Sequence, residues 1–314
     1  MTQAIHRPAT ANWRAYVRLA KLDVFDYYLS ALLVWSMLAP AARIDPQVLL
    51  TIVLFGIGEV FLIAALVAFD DITGFRDGSD AINYGPDAPA RRLARKPLLT
   101  KAITESAAIR FAWLCAAAAT VAWIGAVLVA PHDPLWVILG VGVTLVVGLQ
   151  YSWGLKLSYH GFQELFIAAL GWGLVLPLYG LLAGAPSGFV VTQALLFGLG
   201  PLLFGVYSNT NDIDGDRSIG RPTVASLVSP RGNRLFIGAV SGVEIGLIVV
   251  PPLTGIAPWW FPLLLLPVIA LRTVQFFVGM IRGDIMRARK LGFRIHRICL
   301  VLLVVGNLLA GGAG

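Results

Sequence analysis

Residues 48–80 read VLLTIVLFGIGEVFLIAALVAFDDITGFRDGSD. Through residue 69 the stretch is apolar except for Thr51 and one acid, Glu59; Asp70, Asp71, Asp77 and Asp80 then follow within eleven residues. An apolar run of this size is near the ~20 residues that a helix needs to cross the hydrocarbon of a bilayer. The stretch therefore predicts a membrane helix that delivers a cluster of carboxylates to the membrane rim.

The rest of the chain repeats that grammar. Of 314 residues, 58% are hydrophobic and 13% charged, with a mean hydropathy of +0.79. A soluble domain carries about 25% charged residues, so the composition predicts an all-α, multi-pass integral membrane protein. Nine spans are expected: 25–42, 48–69, 107–130, 135–152, 163–183, 190–208, 236–254, 257–279 and 296–312. Of the 24 Lys and Arg, 22 lie in or beside the N-terminal tail and the loops after spans 2, 4, 6 and 8. Arg43 falls on the other side, and Arg272 lies inside span 8. This asymmetry predicts a cytoplasmic N-terminus and cytoplasmic acidic loops, with Trp259 and Trp260 in the outer aromatic belt. The net charge of +7 is thus spent on orientation at the lipid bilayer, which argues against nucleic acid as a partner. Cys115 and Cys299 both fall in apolar runs, so neither a disulfide framework nor a metal knuckle is implied. No signal peptide pattern is visible. The expected organisation is a single transmembrane domain over 1–314, in a bacterial inner membrane, with no obligatory protein partner. Its working face carries the loops at about 70–106 and 209–235.

The second of these loops reads Asn209-Thr210-Asn211-Asp212-Ile213-Asp214-Gly215-Asp216-Arg217. Four spans separate it from the first cluster, and an even number of crossings returns a chain to the side it left. Asn209, Asp212 and Asp216 fall at i, i+3 and i+7, one face of a helix if span 6 continues that far. Three carboxylates within five residues repel one another unless cations are present. A hard cation such as Mg²⁺ takes oxygen ligands from one or two carboxylates and leaves other positions to phosphate and water. Asp70, Asp71, Asp77 and Asp80 are the candidate partners across the mouth, although Gly74 and Gly78 weaken helix continuation there. The bland alternative for the second cluster is a solvated helix cap. Arg217 and Arg221 are placed to hold diphosphate oxygens by bidentate hydrogen bonds, and Arg95 and Lys96 of the basic run 91–96 are further candidates. Lys156 is the lone cation between spans 4 and 5, a candidate phosphate contact, and Tyr151 nearby is a candidate hydrogen-bond donor to the leaving group. Glu59 lies eleven residues before Asp70, on the same face and roughly 16 Å deeper. Ionisable groups at that depth are expensive and usually line a cavity. Glu59 is thus a candidate base, or a protonated acid bonded to a neighbouring helix. Glu244 in span 7 raises the same question.

At these residues the chain resembles the UbiA superfamily of intramembrane prenyltransferases. The run from Asn209 to Arg217, with Gly220-Arg221 and Thr223, is similar to the family's second Asp-rich motif and its Gly-Arg-x-Thr tail. Tyr151-Ser152 through Lys156 to Gly161 and Glu164 resembles its third loop, and Lys96-Pro97-Leu98 its Arg-Pro-Leu turn. The first motif departs from the pattern of Asn-Asp, two residues, Asp, three residues, Asp. Asp70 stands in the Asn position, and Gly74 and Gly78 stand where the later aspartates are usual. Asp77 and Asp80 are the nearest substitutes.

The resemblance implies a nine-helix bundle, Mg²⁺ and an allylic isoprenyl diphosphate. The expected reaction is Mg²⁺-dependent ionisation of that diphosphate and transfer of the prenyl group to an aromatic or quinone-type acceptor. Two Mg²⁺ would be held by Asp70, Asp71 and Asp77 or Asp80 on one side, and by Asn209, Asp212 and Asp216 on the other. The main rival is a terpene cyclase on the same scaffold, in which the chain's own double bond captures the cation. A transporter fits less well, because coupling sites sit near the midplane and these acids lie mostly at the rim.

Overall fold

The computed structural model describes residues 13–22, 26–83, 93 and 95–313, so Arg91 and Arg92 of the basic run lie outside the described residues. Every element among the described residues is helical. Helices α1 (Trp13–Ala20), α2 (Leu29–Met37), α3 (Pro46–Arg76) and α4 (Ser79–Asn83) open the chain. They are followed by α5 (Glu105–Val129), α6 (Leu135–Leu149), α7 (Gln163–Ala183) and α8 (Gly188–Asn211). Two short rim helices come next, α9 (Ile213–Ser218) and α10 (Val224–Leu227), and then α11 (Pro230–Leu253). The chain closes with α12 (Phe261–Leu264), α13 (Leu266–Phe276, prolonged by a π turn Phe277–Ile281) and α14 (Ile285–Ala310).

Six helices, α3, α5, α7, α8, α11 and α14, are long and apolar enough to cross a membrane, so the chain is a multi-pass integral membrane protein. They coincide with expected spans 2, 3, 5, 6, 7 and 9. The other three expected spans are shorter helices. In the first, α2 has nine residues and gives way to extended backbone at Leu38, just before Ala39-Pro40; a proline disfavours helix in the residue ahead of it. Span 4 is the fifteen-residue α6. Span 8 is broken at Leu265, where Pro262 and Pro267 flank the break and remove amide donors.

α8 is the central post, packing on α7, α11 and α14, while α3 and α5 form a second intimate pair. Small residues permit these close approaches. A side chain on Gly58 of α3 would strike the Trp123 indole, which stacks on Phe55 at 4.9 Å and donates to the Phe55 carbonyl at 2.9 Å. At the α7–α8 crossing, a Cβ on Gly171 would come within 2.6 Å of the Gly198 Cα. Close backbone approach of this kind is how helices associate in lipid, where no hydrophobic drive exists between them.

The buried pair Glu244–Arg272 answers one sequence question. Arg272 on α13 grips Glu244 on α11 with two hydrogen bonds of 2.5 and 2.6 Å, and a third joins Arg272 to Gln275. Gln275 in turn ties α8 to α14 through the Leu203 and Ala288 carbonyls, each at 3.0 Å. Glu244 is therefore a structural partner, paired as intramembrane charges must be.

Candidate active site

α3 does not stop at the apolar boundary. It runs as one helix to Arg76, carrying Asp70 and Asp71 out of the apolar layer, with Asp77 as its C-cap residue. Gly78 ends it by adopting φ +80, a conformation costly for any residue with a Cβ. The reversal sets α4 back against α3, and the Asp80 carboxylate lands over Gly74. A Cβ there would sit 2.9 Å from the Asp80 carboxyl carbon. Asp80 thus fills in space the position that Gly74 leaves vacant in sequence.

Each carboxylate of this first cluster has protein partners. Asp71 Oδ1 accepts from Lys21 Nζ at 2.7 Å and from Lys96 Nζ at 2.8 Å, while its buried Oδ2 has no partner. Lys96 Nζ also lies 2.6 Å from Asp80 Oδ1. Asp70 accepts from Ser152 Oγ at 2.7 Å and faces the Arg221 guanidinium at 3.5 Å. Asp77 accepts from the Tyr159 hydroxyl and from the Ser79 amide. Burial pushes the Asp80 carboxyl up to about 6 despite Lys96 beside it. For Lys96, burial alone would favour the neutral amine, but Asp71, Asp80 and Asp70 outweigh it and hold the proton above the usual lysine range.

The second cluster is less tied down. α8 ends at Asn211, Asp212 departs from helical geometry at φ −103, and α9 restarts at Ile213, so Asn209 and Asp216 do not share one continuous helix. The break is local, because the Asp216 amide still bonds the Asp212 carbonyl at 2.9 Å. Asn209 is buried and braced at both ends of its amide. Gln163 Nε2 donates to its Oδ1 and its Nδ2 donates to Glu164 Oε1, both at 2.9 Å. Glu164 Oε1 also accepts from the Val224 amide at 3.0 Å, which fixes α10 to α7. The other oxygens, Gln163 Oε1 and Glu164 Oε2, are buried without a partner. Asp216 accepts from Thr223 Oγ1 at 3.2 Å, and burial pushes its carboxyl up to about 6 against the pull of Arg221. Burial disfavours the charged carboxylate, and a cation bound beside it would favour that form.

The two clusters meet because α4 packs on α9. Arg221 sits at the junction, 3.5 Å from the Tyr151 hydroxyl, with its guanidinium over the Tyr151 and Tyr159 rings. Between the clusters lies a polar hollow of about 280 Å³, whose lining includes Lys21, Arg95, Lys96, Asn211, Asp212 and Arg289. Nothing in the sequence singled out Lys21 or Arg289 beyond their part in the positive-inside pattern. Glu164 belonged to the quoted loop but carried no role until its bonds to Asn209 and Val224 were visible.

Two expected phosphate contacts lie elsewhere. Arg217 turns its Nε onto the Ser226 carbonyl at 3.0 Å and lines a separate cavity with Asn233 and Met280. Lys156 adopts φ +51, lies over the Tyr159 ring, and borders a neighbouring hollow with Arg76, Asp77 and Trp153. Tyr151 packs at a tilt against Phe166, ring centres 4.5 Å apart, and Phe166 in turn lines an apolar groove of about 260 Å³ between α6 and α7. Glu59 is fully buried in α3, with one oxygen accepting from Ser30 Oγ at 2.8 Å and the other, Oε1, unpartnered.

Among the described residues no group of three or more His, Cys, Asp or Glu forms a ready-made metal cage. The second cluster nonetheless fits a hard cation in its chemistry: Asp212 and Asp216 supply carboxylate oxygens, and Glu164 Oε2 is a buried acceptor with nothing to accept from.

The UbiA prenyltransferase family model matches residues 28–308. No curated protein matches the chain by sequence. Among solved structures, digeranylgeranylglyceryl phosphate synthase is similar at a TM-score of 0.68 and 16% identity, over 95% of this chain and 99% of that one. The apo UbiA homolog from Aeropyrum pernix K1 gives a TM-score of 0.68 at 17% identity, over 91% of this chain and 98% of its own. A UbiA homolog from Archaeoglobus fulgidus bound to DMAPP and Mg²⁺ gives 0.64 at 13% identity, over 92% and 99%. At such identities the structural likeness speaks for the fold. Membership rests on the family match across nearly the whole length: this chain belongs to the UbiA prenyltransferase family.

Proposed function

We propose that this protein is an intramembrane prenyltransferase that ionises an allylic isoprenyl diphosphate with the help of Mg²⁺ and passes the prenyl group to an aromatic or quinone-type acceptor. The observation that carries this reading is the polar hollow between the two acidic clusters, where Lys21, Arg95, Lys96 and Arg289 converge opposite Asp212. A hollow lined by four cationic side chains, with the Asp212 carboxylate at its edge, suits an anion that arrives with a metal. The homolog from Archaeoglobus fulgidus, which has been captured with DMAPP or GPP together with Mg²⁺, supports the same substrate class.

When bound, Mg²⁺ would be held by Asp212 and Asp216, and would supply Lewis-acid neutralisation of the departing diphosphate oxygens. The chain's own groups do the rest. Lys21, Arg95, Lys96 and Arg289 grip the diphosphate by charge-assisted hydrogen bonds. Arg221, already fixed by Asp70 and Tyr151, adds a positive charge that needs no rearrangement as negative charge develops. The prenyl tail lies among apolar helices, where water that would quench an allylic cation is excluded. Glu59, with Oε1 free of any partner, accepts the proton that the attacked acceptor loses. Nine crossings with a cytoplasmic N-terminus put this mouth on the cytoplasmic face of a bacterial inner membrane, and the chain works there as one helical unit.

The test is product identification by mass spectrometry after incubating purified protein with Mg²⁺ and isoprenyl diphosphates of several lengths, with and without aromatic acceptors. Prenylated acceptor, formed only when acceptor is present, is the expected outcome. Release of terpene hydrocarbon or alcohol at a comparable rate without acceptor would replace transfer with cyclisation.

A further inference from the structure

The two acidic clusters differ in how their charge is met. At the first, lysines take one oxygen of each of two carboxylates: Lys96 Nζ bridges Asp71 Oδ1 at 2.8 Å and Asp80 Oδ1 at 2.6 Å, and Lys21 adds a second ammonium on Asp71 Oδ1. At the second, Asp216 accepts from a neutral threonine, and Glu164 Oε2 and Gln163 Oε1 are buried with nothing to bond. The bridging ammonium is itself buried, as are Asp71 and Asp80. Its position is built by the backbone: Gly74 clears the space into which the Asp80 carboxylate folds, and the Gly78 turn swings Asp80 there.

We propose that the Lys96 ammonium, seconded by Lys21, stands in for a metal ion at the first cluster, so that the chain binds its diphosphate with a single divalent cation held at the second. The proposal rests on the diphosphate reading above and makes it narrower. An ammonium between two carboxylates satisfies their charge much as a divalent ion would, and both lysines also line the polar hollow, where they present N–H donors to phosphate oxygens. A cation competing for Asp71 and Asp80 would have to displace a buried ion pair, and breaking such a pair leaves an uncompensated charge. A metal at this cluster would therefore have to share Asp71 and Asp80 with the ammonium already seated between them.

The experiment uses the full chain in detergent, dialysed to equilibrium against Mn²⁺ and inorganic pyrophosphate, with both bound species counted. One Mn²⁺ per bound pyrophosphate is expected. In Lys96→Met, Asp71 and Asp80 lose their bridge, so the ratio should rise toward two and pyrophosphate affinity should fall by about tenfold, one charge-assisted contact's worth. Lys96→Arg should keep the ratio at one. Two Mn²⁺ per pyrophosphate in the unaltered chain overturns the inference while leaving the prenyl diphosphate reading in place. A Lys96→Met chain that keeps both ratio and affinity overturns it as well. Failure of the unaltered chain to bind pyrophosphate at all, with or without Mn²⁺, would instead sink the reading on which the inference depends.

Discussion

At the scale of single residues, function hangs on a few oxygens. Asp212 and Asp216 each accept one hydrogen bond from a neutral side chain, Asn211 at 2.9 Å and Thr223 at 3.2 Å, both within the rim segment itself. Asp212→Ala or Asp216→Ala should therefore leave the protein folded in detergent yet cut turnover by at least about a thousandfold. That is the size expected when several kcal/mol of metal stabilisation is lost. Near-normal rates in both variants, measured as pyrophosphate release, would remove them from the metal site. Glu59 makes a finer distinction. Its Oε2 accepts from Ser30, a bond that a glutamine carbonyl preserves, while its unpartnered Oε1 is the atom assigned to chemistry. Glu59→Gln should keep diphosphate binding and lower product formation by ~10²-fold or more, the range of a general base. An unchanged rate would make Glu59 structural. Part of this was legible before any fold was known: the spacing of Asp212 and Asp216 and the depth of Glu59 are visible in the bare string. The roles of Lys21 and Glu164 were not, because each depends on a contact with a residue at least 45 positions away.

At the scale of helices, packing is set by where side chains are missing. α7 and α8 touch through Gly171 and Gly198, and a Cβ on Gly171 would approach the Gly198 Cα to 2.6 Å, which no real contact tolerates. Gly171→Ala should lower the thermal midpoint in detergent, in line with the ~1–3 kcal/mol that overpacking costs. Gly142→Ala is the control: a Cβ there meets nothing within 4 Å, and its midpoint should not fall. Equal midpoints for both variants would show that α7 and α8 do not approach this closely. Helix positions were readable from apolar runs, since six of the nine expected spans are full-length helices at the expected places. Their ends were not. α3 runs on through Gly74 because its last turns pack: Thr73 Oγ1 donates to the Ser152 carbonyl at 2.8 Å, and tertiary contact overrides the weak helix propensity of glycine. The same limit explains α8, where an unbroken helix through Asp216 was one possibility and a break at Asp212 is the outcome.

At the scale of the whole molecule, two loops more than a hundred residues apart form one mouth, and that requires one side of the membrane. Single cysteines placed at 77 and 214 in a background lacking Cys115 and Cys299 should react with a membrane-impermeant thiol reagent from the same side, the cytoplasmic one. Labelling from opposite sides would separate the clusters and end the account of a shared site. The even number of spans between the clusters made this juxtaposition legible in outline, whereas Arg217 and Lys156 show its limit. Both stand at the right rim, but Arg217 turns to the Ser226 carbonyl and Lys156 to the Tyr159 ring, orientations that only local backbone geometry decides. The central claim is that a metal-assisted diphosphate departure takes place between these clusters. Its most direct measurement is pyrophosphate release from an allylic isoprenyl diphosphate by purified protein after exhaustive chelation, followed by return of Mg²⁺. Release should cease on chelation and recover with Mg²⁺; full turnover in the stripped protein would contradict it.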